Sequence, residues 1–266
     1  MTKALFFDID GTLVSFRTHE IPASAVEALS AAKAKGHRIF IATGRPRVII
    51  NNLGPLQERG LIDGYVTMNG AYCFVGDEVI YKSAIPTEDV RTLTGYCAQR
   101  SIPCIVVGEH TICVCQPDER VQQIFHEHLR VTAPIPDTPL HEAIDGKEIF
   151  QLTPFLDEAQ EAEIAPSLTC CEMGRWHPAF VDVTAKGNTK QKGIDEIIRH
   201  FGIRLGDTIA FGDGGNDISM LRHAGIGIAM GNAADHVKAA ADYVTDTVDN
   251  DGIAKAIEQW VMKNGK

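Results

Sequence analysis

The chain has 266 residues, a net charge of −10 at pH 7 and a composition that is 44% hydrophobic and 23% charged. A chain of this length can form one large domain or two modest ones, each with a buried core. The acidic charge argues against a nucleic-acid-binding surface, which is normally basic.

The sequence contains no feature that predicts a membrane or an oxidising environment. No run of about 18 apolar residues is present, so we expect no transmembrane helix and no membrane partner. Asp8 and Asp10 interrupt the N-terminal segment where a signal peptide would be apolar, and we therefore expect a cytoplasmic location. The odd number of cysteines, seven, and the lack of a predicted secretion signal favour reduced thiols over disulfides. The cysteines also lack metal-ligand spacing, which favours buried thiols over a zinc site.

The first predicted strand is a short apolar run, Leu5-Phe6-Phe7, that ends in Asp8 and Asp10. Such a run is typical of a strand buried on both faces of a parallel sheet that helices cover. Ligands bind beyond the carboxyl ends of the strands in these sheets. Either aspartate alone could be a turn or capping residue. Together, two neighbouring carboxylates predict a bound cation or a shared proton.

Strands and helices then alternate in the manner of βαβ units. Thr43-Gly44-Arg45 follows the second predicted strand, and Asn69-Gly70 follows the third. The predicted elements are, in chain order, a helix over 22–35, a strand over 38–42, a helix running toward 56, a strand over 65–68 and a hairpin of strands over 72–75 and 79–81.

From about residue 86 to residue 182 the pattern changes to helices and antiparallel strand pairs, which is typical of an α+β unit. We interpret it as a second domain, 84–184, inserted into a core formed by 1–83 and 185–266. The predicted helices of the insert cover 87–100, 118–129 and 157–165, and its strands cover 104–108, 111–116, 148–153, 168–173 and 179–183.

After the insert the parallel pattern resumes. The strand over 208–211 ends in a turn that contains Asp213, Asn216 and Asp217. The other predicted elements are helices over 188–201, 233–241 and 250–263, a helix between Asp217 and Ile226, and strands over 226–230 and 243–245. The whole chain is therefore predicted to be an α/β protein, with a Rossmann-like, doubly wound parallel sheet and an inserted α+β domain.

Lys190 lies in the first turn of its predicted helix, where the helix dipole disfavours a cation. Counting by four places it on the same face as Ile194 and Ile198, which is the core side. A lysine that points inward requires an anion. That anion is either a phosphate group or one of the aspartates at the sheet edge.

Polar clusters that are far apart in sequence are expected to meet at one edge of the sheet: Asp8 with Asp10, Thr43 with its neighbours, Lys190, and Asp213 with Asn216 and Asp217. Each cluster alone is a weak signal, but the set suits phosphoryl transfer. An aspartate can form an acyl phosphate, and a second acid can protonate the leaving group and then activate water. A divalent metal, a lysine and hydroxyl groups can offset the phosphate charge.

The motifs resemble those of the haloacid dehalogenase (HAD) superfamily and, within it, the Cof-type sugar-phosphate phosphatases of bacteria. The resemblance extends over essentially the whole chain. It is carried by Phe-Phe-Asp8-Ile-Asp10-Gly-Thr-Leu, Ala-Thr43-Gly-Arg45, Asn69-Gly-Ala, Lys190, and Gly-Asp213-Gly-Gly-Asn216-Asp217.

The resemblance implies a role for each site residue. Asp8 would be the nucleophile and Asp10 the general acid and base. Mg2+ would be bound by Asp8, by the backbone carbonyl of Asp10 and by Asp213, with Asp217 supporting the site. The residues implied in binding the phosphoryl group or the rest of the substrate are Thr43, Gly44, Arg45, Asn69, Lys190 and Asn216.

The insert between Thr43 and Lys190 resembles the type IIB cap of this superfamily, which can close over the site and select the leaving group. Arg175, Trp176 and His177 are candidates for substrate contact from the cap. The leading hypothesis is Mg2+-dependent hydrolysis of small phosphate monoesters, above all sugar phosphates, through an aspartyl phosphate. The alternatives are a phosphotransferase or phosphomutase on the same scaffold, and a pyridoxal-phosphate or nucleotide phosphatase. We expect a monomer whose partner is a small phosphorylated metabolite.

Overall fold

The structure is a computed structural model that describes residues 2–262, apart from the side chain of Trp176. The chain divides into two compact units. The first unit comprises the segment that ends at Thr43, the segment Asn52–Tyr81 and the segment that begins at Thr189. The second comprises Gly44–Asn51 and Lys82–Asn188.

Within the described residues, the strands are β1 (Ala4–Phe7), β2 (Arg38–Ala42), β3 (Gly64–Thr67), β4 (Tyr72–Val75), β5 (Glu78–Lys82), β6 (Cys104–Gly108), β7 (Ile112–Cys115), β8 (Ile149–Pro154), β9 (Cys171–His177), β10 (Phe180–Ala185), β11 (Thr208–Gly212), β12 (Ile226–Ala229) and β13 (Tyr243–Val244).

The α-helices of the same part of the chain are α1 (Ala23–Ala34), α2 (Gly54–Glu58), α3 (Thr87–Gln99), α4 (Glu119–Val121), α5 (Leu140–Ile144), α6 (Glu158–Ile164), α7 (Lys190–Phe201), α8 (Ile218–His223), α9 (Asp235–Lys238) and α10 (Gly252–Ala256). Two of them continue as π-helical stretches, α4 over Gln122–His128 and α10 over Ile257–Met262.

The first unit is built on an eight-stranded sheet with the order β13-β12-β11-β1-β2-β3-β4-β5. The six strands from β13 to β3 are parallel, and β4 runs antiparallel to β3. Every residue of β1 is buried, as its continuous apolar run predicts, and the ring of Phe7 stacks on Phe211 with centroids 4.5 Å apart. The prediction of a parallel α/β core is confirmed.

The second unit contains a five-stranded sheet with the order β7-β6-β8-β10-β9, in which neighbouring strands are antiparallel. The prediction of an α+β insert is therefore confirmed. Two details differ from the sequence-based expectation. The strand expected over 168–173 is β9, Cys171–His177, and the short helix α5 was not predicted. A five-residue helix is too short for a helical repeat of apolar residues to be recognised.

The segment Gly44–Asn51 packs with the second unit, whereas the sequence-based boundary included it in the core. Asn51 donates its side-chain N–H groups to the carbonyl of Arg130 at 3.0 Å and to the hydroxyl of Thr132 at 2.9 Å. These contacts link residues about 80 positions apart, so they cannot be predicted from local pattern. The observed division therefore has three segments in the first unit and two in the second.

In the described part of the chain, we find no helix with both the length and the apolarity needed to cross a bilayer. All seven cysteines are free thiols. Four of them, Cys73, Cys97, Cys104 and Cys115, are buried, whereas Cys170 is exposed. The expectation of buried thiols therefore holds for four of the seven cysteines.

Gly193 of α7 provides a test of how closely this helix packs on the sheet. A Cβ at this position would lie 2.1 Å from Cγ1 of the buried Val66. Although Gly→Ala normally stabilises a helix, we expect Gly193→Ala to reduce the free energy of unfolding by about 1–3 kcal/mol because of overpacking. Urea unfolding followed by circular dichroism measures this change.

Gly95 of α3 is the matched control, because no atom beyond its chain neighbours and the nearby backbone of its own helix lies within 4 Å of its Cβ position. Gly95→Ala should stabilise the protein by up to about 1 kcal/mol. Equal stabilisation by the two substitutions would contradict the close contact between α7 and β3.

Candidate active site

Asp8 and Lys190 form a buried ion pair at the carboxyl edge of the first sheet. Asp8 directly follows β1, and its N–H donates to the carbonyl of Phe211 at 3.0 Å, which extends the ladder between β1 and β11. Lys190 is the first residue of α7 and is completely buried. Its Nζ donates to Asp8 Oδ1 at 2.6 Å and to Asp217 Oδ1 at 2.5 Å. The inward direction that helical periodicity predicts for Lys190 is observed.

The turn after β11 is held by the carboxylate of Asp217. Its Oδ2 accepts the backbone N–H groups of Asp213 at 2.9 Å and of Gly214 at 2.8 Å. Its Oδ1 faces Lys190, so both oxygens of this fully buried side chain are used. Asp217 therefore fixes the turn that presents Asp213 and neutralises part of the lysine charge.

Gly11 allows the turn after β1 to approach Asp213. Its φ is +87°, and a Cβ there would lie 2.2 Å from Asp213 Oδ2. The next residue, Thr12, donates its hydroxyl to Asp213 Oδ1 at 2.8 Å. A side chain at position 11 would thus be both strained and obstructed by Asp213.

The electrostatics of this cluster are dominated by burial and by an excess of carboxylates. Burial raises the pKa of Asp8 well above its usual value; Asp217, Asp213 and Asp10 add to the rise, while Lys190 opposes it. Burial and Asp217 also raise the pKa of Asp213 to about 7. Burial lowers the pKa of Lys190, but the carboxylates of Asp217 and Asp8 outweigh that effect, so the net pKa is raised and the lysine is charged.

Three carboxylates of the cluster could hold a metal ion. Asp8, Asp213 and Asp217 each present an oxygen, and these oxygens lie within 4.8 Å of one another. When all three are ionised, the single charge of Lys190 leaves two negative charges uncompensated. Carboxylate oxygens and this residual charge suit a hard divalent cation such as Mg2+.

Asp10 and the residues after β2 and β3 lie beyond strand ends of the same sheet. Asp10 is half-buried and forms an isolated backbone bridge with Val14. Thr43 is buried, and its carbonyl accepts the N–H of Asn69 at 3.1 Å. Asn69 has a φ of +52°, and its side-chain oxygen accepts an N–H of Asn216 at 3.0 Å. The structure thus links the predicted residues Thr43, Asn69 and Asn216 to one another.

Gly44 and Arg45 belong to the second unit. The guanidinium of Arg45 is buried and donates to the carbonyls of Ile49 at 3.3 Å and Leu129 at 3.2 Å. A substrate-binding role for Gly44 and Arg45 therefore stays a prediction.

Two of the three cap candidates make contacts within the second unit. Arg175 pairs with Glu161 at 2.7 Å, and the ring of His177 stacks on Phe180. The side chain of Trp176 lies outside the described residues.

Two residues at the edge of the sheet were not among the predicted site residues. Thr12 bonds Asp213, and Asn232 donates to the carbonyl of Gly11 at 2.8 Å. Asn232 lies three residues beyond β12. Polar residues beyond strand ends were the signal that identified the other clusters, and the same signal applies to Asn232.

The chain is similar to known proteins over nearly its full length. A family model described as haloacid dehalogenase-like hydrolase matches residues 5–257. A solved structure of a sugar phosphatase of HAD subclass IIB is 65% identical, with a TM-score of 0.93 and coverage of 97% of this chain and 99% of the other.

Two named bacterial proteins are more distantly similar. “Putative phosphatase YkrA” of Bacillus subtilis strain 168 is 34% identical over 97% of both chains. Pyridoxal phosphate phosphatase YbhA of Escherichia coli K12 is 29% identical over 96% of this chain and 97% of its own.

The pKa of Asp213 predicts a pH-dependent stability in metal-free protein. This pKa is about 7 in the fold against an ordinary value of 3.8, so the folded state retains a proton that the unfolded state has lost. The free energy of unfolding should therefore fall as pH rises from about 4 to about 7, by up to about 4 kcal/mol. Asp8 acts in the same direction. Urea unfolding in EDTA across this pH range measures the effect.

Asp213→Asn is the control, because it lacks this titrating group and its stability should vary less with pH. Added Mg2+ should flatten the wild-type profile, since a cation favours the ionised carboxylates. An equally steep profile in wild type and Asp213→Asn would contradict the assignment of the titration to Asp213.

Proposed function

The chain belongs to the haloacid dehalogenase-like hydrolases, and from this premise we propose that it hydrolyses small phosphate monoesters, above all sugar phosphates. The observation that carries the proposal is the contact of Lys190 Nζ with Asp8 Oδ1 at 2.6 Å, inside a cluster of three carboxylates. A buried ammonium beside a carboxylate can attract a phosphate dianion to that carboxylate and stabilise charge as it develops.

In the proposed first step, a carboxylate oxygen of Asp8 attacks the phosphorus of the ester. A bond forms between this oxygen and phosphorus while the bond from phosphorus to the leaving oxygen breaks. Asp10 donates a proton to the leaving oxygen, which departs as an alcohol. The product on the protein is an aspartyl phosphate.

In the second step, Asp10 accepts a proton from water as the water oxygen bonds to phosphorus. The bond between phosphorus and Asp8 breaks, which restores the carboxylate and releases inorganic phosphate. Lys190, Thr43 and Asn216 are proposed to bind the phosphoryl oxygens in both steps, with Gly44, Arg45 and Asn69 contacting the substrate.

Mg2+ is the cofactor proposed for the carboxylate cluster. Asp8 and Asp213 would hold it, together with the backbone carbonyl of Asp10, and Asp217 would support the site. When bound, the ion supplies positive charge that offsets the repulsion between the carboxylates and the phosphate. The support for this assignment is the mutual proximity of the three carboxylates and the raised pKa values of Asp8 and Asp213.

The preference for sugar phosphates rests on similarity. The sugar phosphatase of subclass IIB is 65% identical, whereas the pyridoxal phosphate phosphatase is 29% identical. Phosphate release from hexose and pentose phosphates, nucleotides and pyridoxal phosphate would test this order. A requirement for a sugar bisphosphate activator, with transfer instead of release, would favour the phosphomutase alternative.

Replacement of Asp8 and of Asp10 by asparagine should have different effects on turnover and on Mg2+ binding. Asp8→Asn should abolish phosphate release, because the amide cannot act as the nucleophile. Asp10→Asn should reduce kcat roughly 10²- to 10⁴-fold through loss of proton transfer, yet retain a Mg2+-induced rise in Tm. A coupled assay for phosphate and thermal unfolding with and without Mg2+ measure the two properties.

Circular dichroism of both variants should match the wild type, since both side chains keep their size. Undiminished turnover by Asp8→Asn would overturn the proposed mechanism. Complete loss of the Mg2+-induced shift in Asp10→Asn would instead assign its carboxylate to metal binding.

A further inference from the structure

Asn232 connects three segments of the first unit through one side chain. Its Nδ2 donates to the carbonyl of Gly11 at 2.8 Å and lies 3.4 Å from Asp213 Oδ2. Its Oδ1 accepts the backbone N–H of Val248 at 3.0 Å. The amide thus joins the turn after β1, the turn after β11 and the 3₁₀ turn Val248–Asn250.

These partners determine the orientation of the amide. Gly11 offers a carbonyl and Asp213 a carboxylate, which only accept, whereas the N–H of Val248 only donates. A flipped amide would place its oxygen against two acceptors and its NH2 group against a donor. The observed orientation is therefore the one that satisfies the three partners, and it directs the two hydrogens of Nδ2 to Gly11 and Asp213.

Both carboxylate oxygens of Asp213 consequently have a neighbouring donor. Thr12 donates its hydroxyl to Oδ1 at 2.8 Å, and the Asn232 amide faces Oδ2. Thr12 follows Gly11 directly, so the same turn is held on one side by the Thr12 hydroxyl and on the other by the Asn232 amide. Loss of Asn232 would leave Asp213 with the Thr12 contact and would release the Gly11 carbonyl.

We propose that Asn232 is a positioning residue for the metal site: it orients Asp213 and holds the turn after Asp10 in the arrangement that binds Mg2+. The inference rests on the proposed function, because it presupposes that Asp213 is a ligand. Groups that hydrogen-bond a ligating carboxylate typically contribute roughly 10- to 100-fold in metal affinity. The hydrogen-bond partners of Asn232 are Gly11, Asp213 and Val248 rather than Asp8 or Lys190, so its effect is expected on metal affinity first.

The test is a Mg2+ titration of Tm without substrate, which reports metal binding independently of turnover. Asn232→Ala should raise the Mg2+ concentration at half-maximal shift about tenfold. In phosphate-release assays, the apparent KM for Mg2+ should rise by a similar factor, while kcat at saturating Mg2+ should change by less than about threefold.

Asn51→Ala is the matched control. Asn51 is also an exposed asparagine whose Nδ2 makes two hydrogen bonds, but its partners are Arg130 and Thr132 of the second unit. This variant should keep the wild-type Mg2+ dependence of both Tm and activity.

Three results would overturn the inference, and they have different meanings. A lower Tm for Asn232→Ala with Mg2+ half-saturation within twofold of wild type would make Asn232 a structural residue only. A fall in kcat with an unchanged KM for Mg2+ would place its effect on the chemical step. Absence of any Mg2+-induced shift in the wild type would overturn the proposed metal site as well, which separates that failure from the first two.

Discussion

The interaction on which the molecule most depends is the burial of one ammonium group between two carboxylates. Lys190 is fully buried, so its charge has to be met by Asp8 from the end of β1 and Asp217 from the turn after β11. Removal of one partner from such a buried group typically costs about 3–5 kcal/mol. The ion pair joins α7 to the ends of two neighbouring strands and holds the proposed nucleophile beside the cation that is proposed to bind phosphate. Stability and chemistry therefore depend on the same atoms.

Much of the first unit was predictable because its sequence signals are local. The apolar run Leu5-Phe6-Phe7 is buried on both faces, as a central parallel strand requires. Helical periodicity alone gave the inward direction of Lys190. Turns that follow strand ends gave Asp8 and Asp213, because a parallel sheet brings its carboxyl ends to one edge. The different roles proposed for Asp8 and Asp10 rest on family resemblance. The structure itself shows only that the two carboxylates are close enough to influence each other.

The features that escaped prediction depend on contacts between distant segments. Residues 44–51 follow a core strand, yet Asn51 bonds Arg130 and Thr132, and the segment packs with the second unit. Thr12 and Asn232 are ordinary turn residues by composition, and their link to Asp213 exists only once three strands are aligned. Sequence pattern predicts which edge of the sheet carries the site, whereas the pairing of particular polar atoms requires the folded structure.

The position of β1 in the sheet has a consequence for the synthesis of the chain. Ala4 of β1 pairs with Arg38 on one side and with Thr208 on the other. At roughly 5–20 residues per second, the ribosome needs on the order of 10–30 s to pass from the second strand to the eleventh. During that interval one edge of a wholly apolar strand has no native partner, and such an edge can pair with other chains. Because β1 gains its second neighbour only when β11 has been made, the strand that leads to the proposed nucleophile keeps one unpaired edge until then.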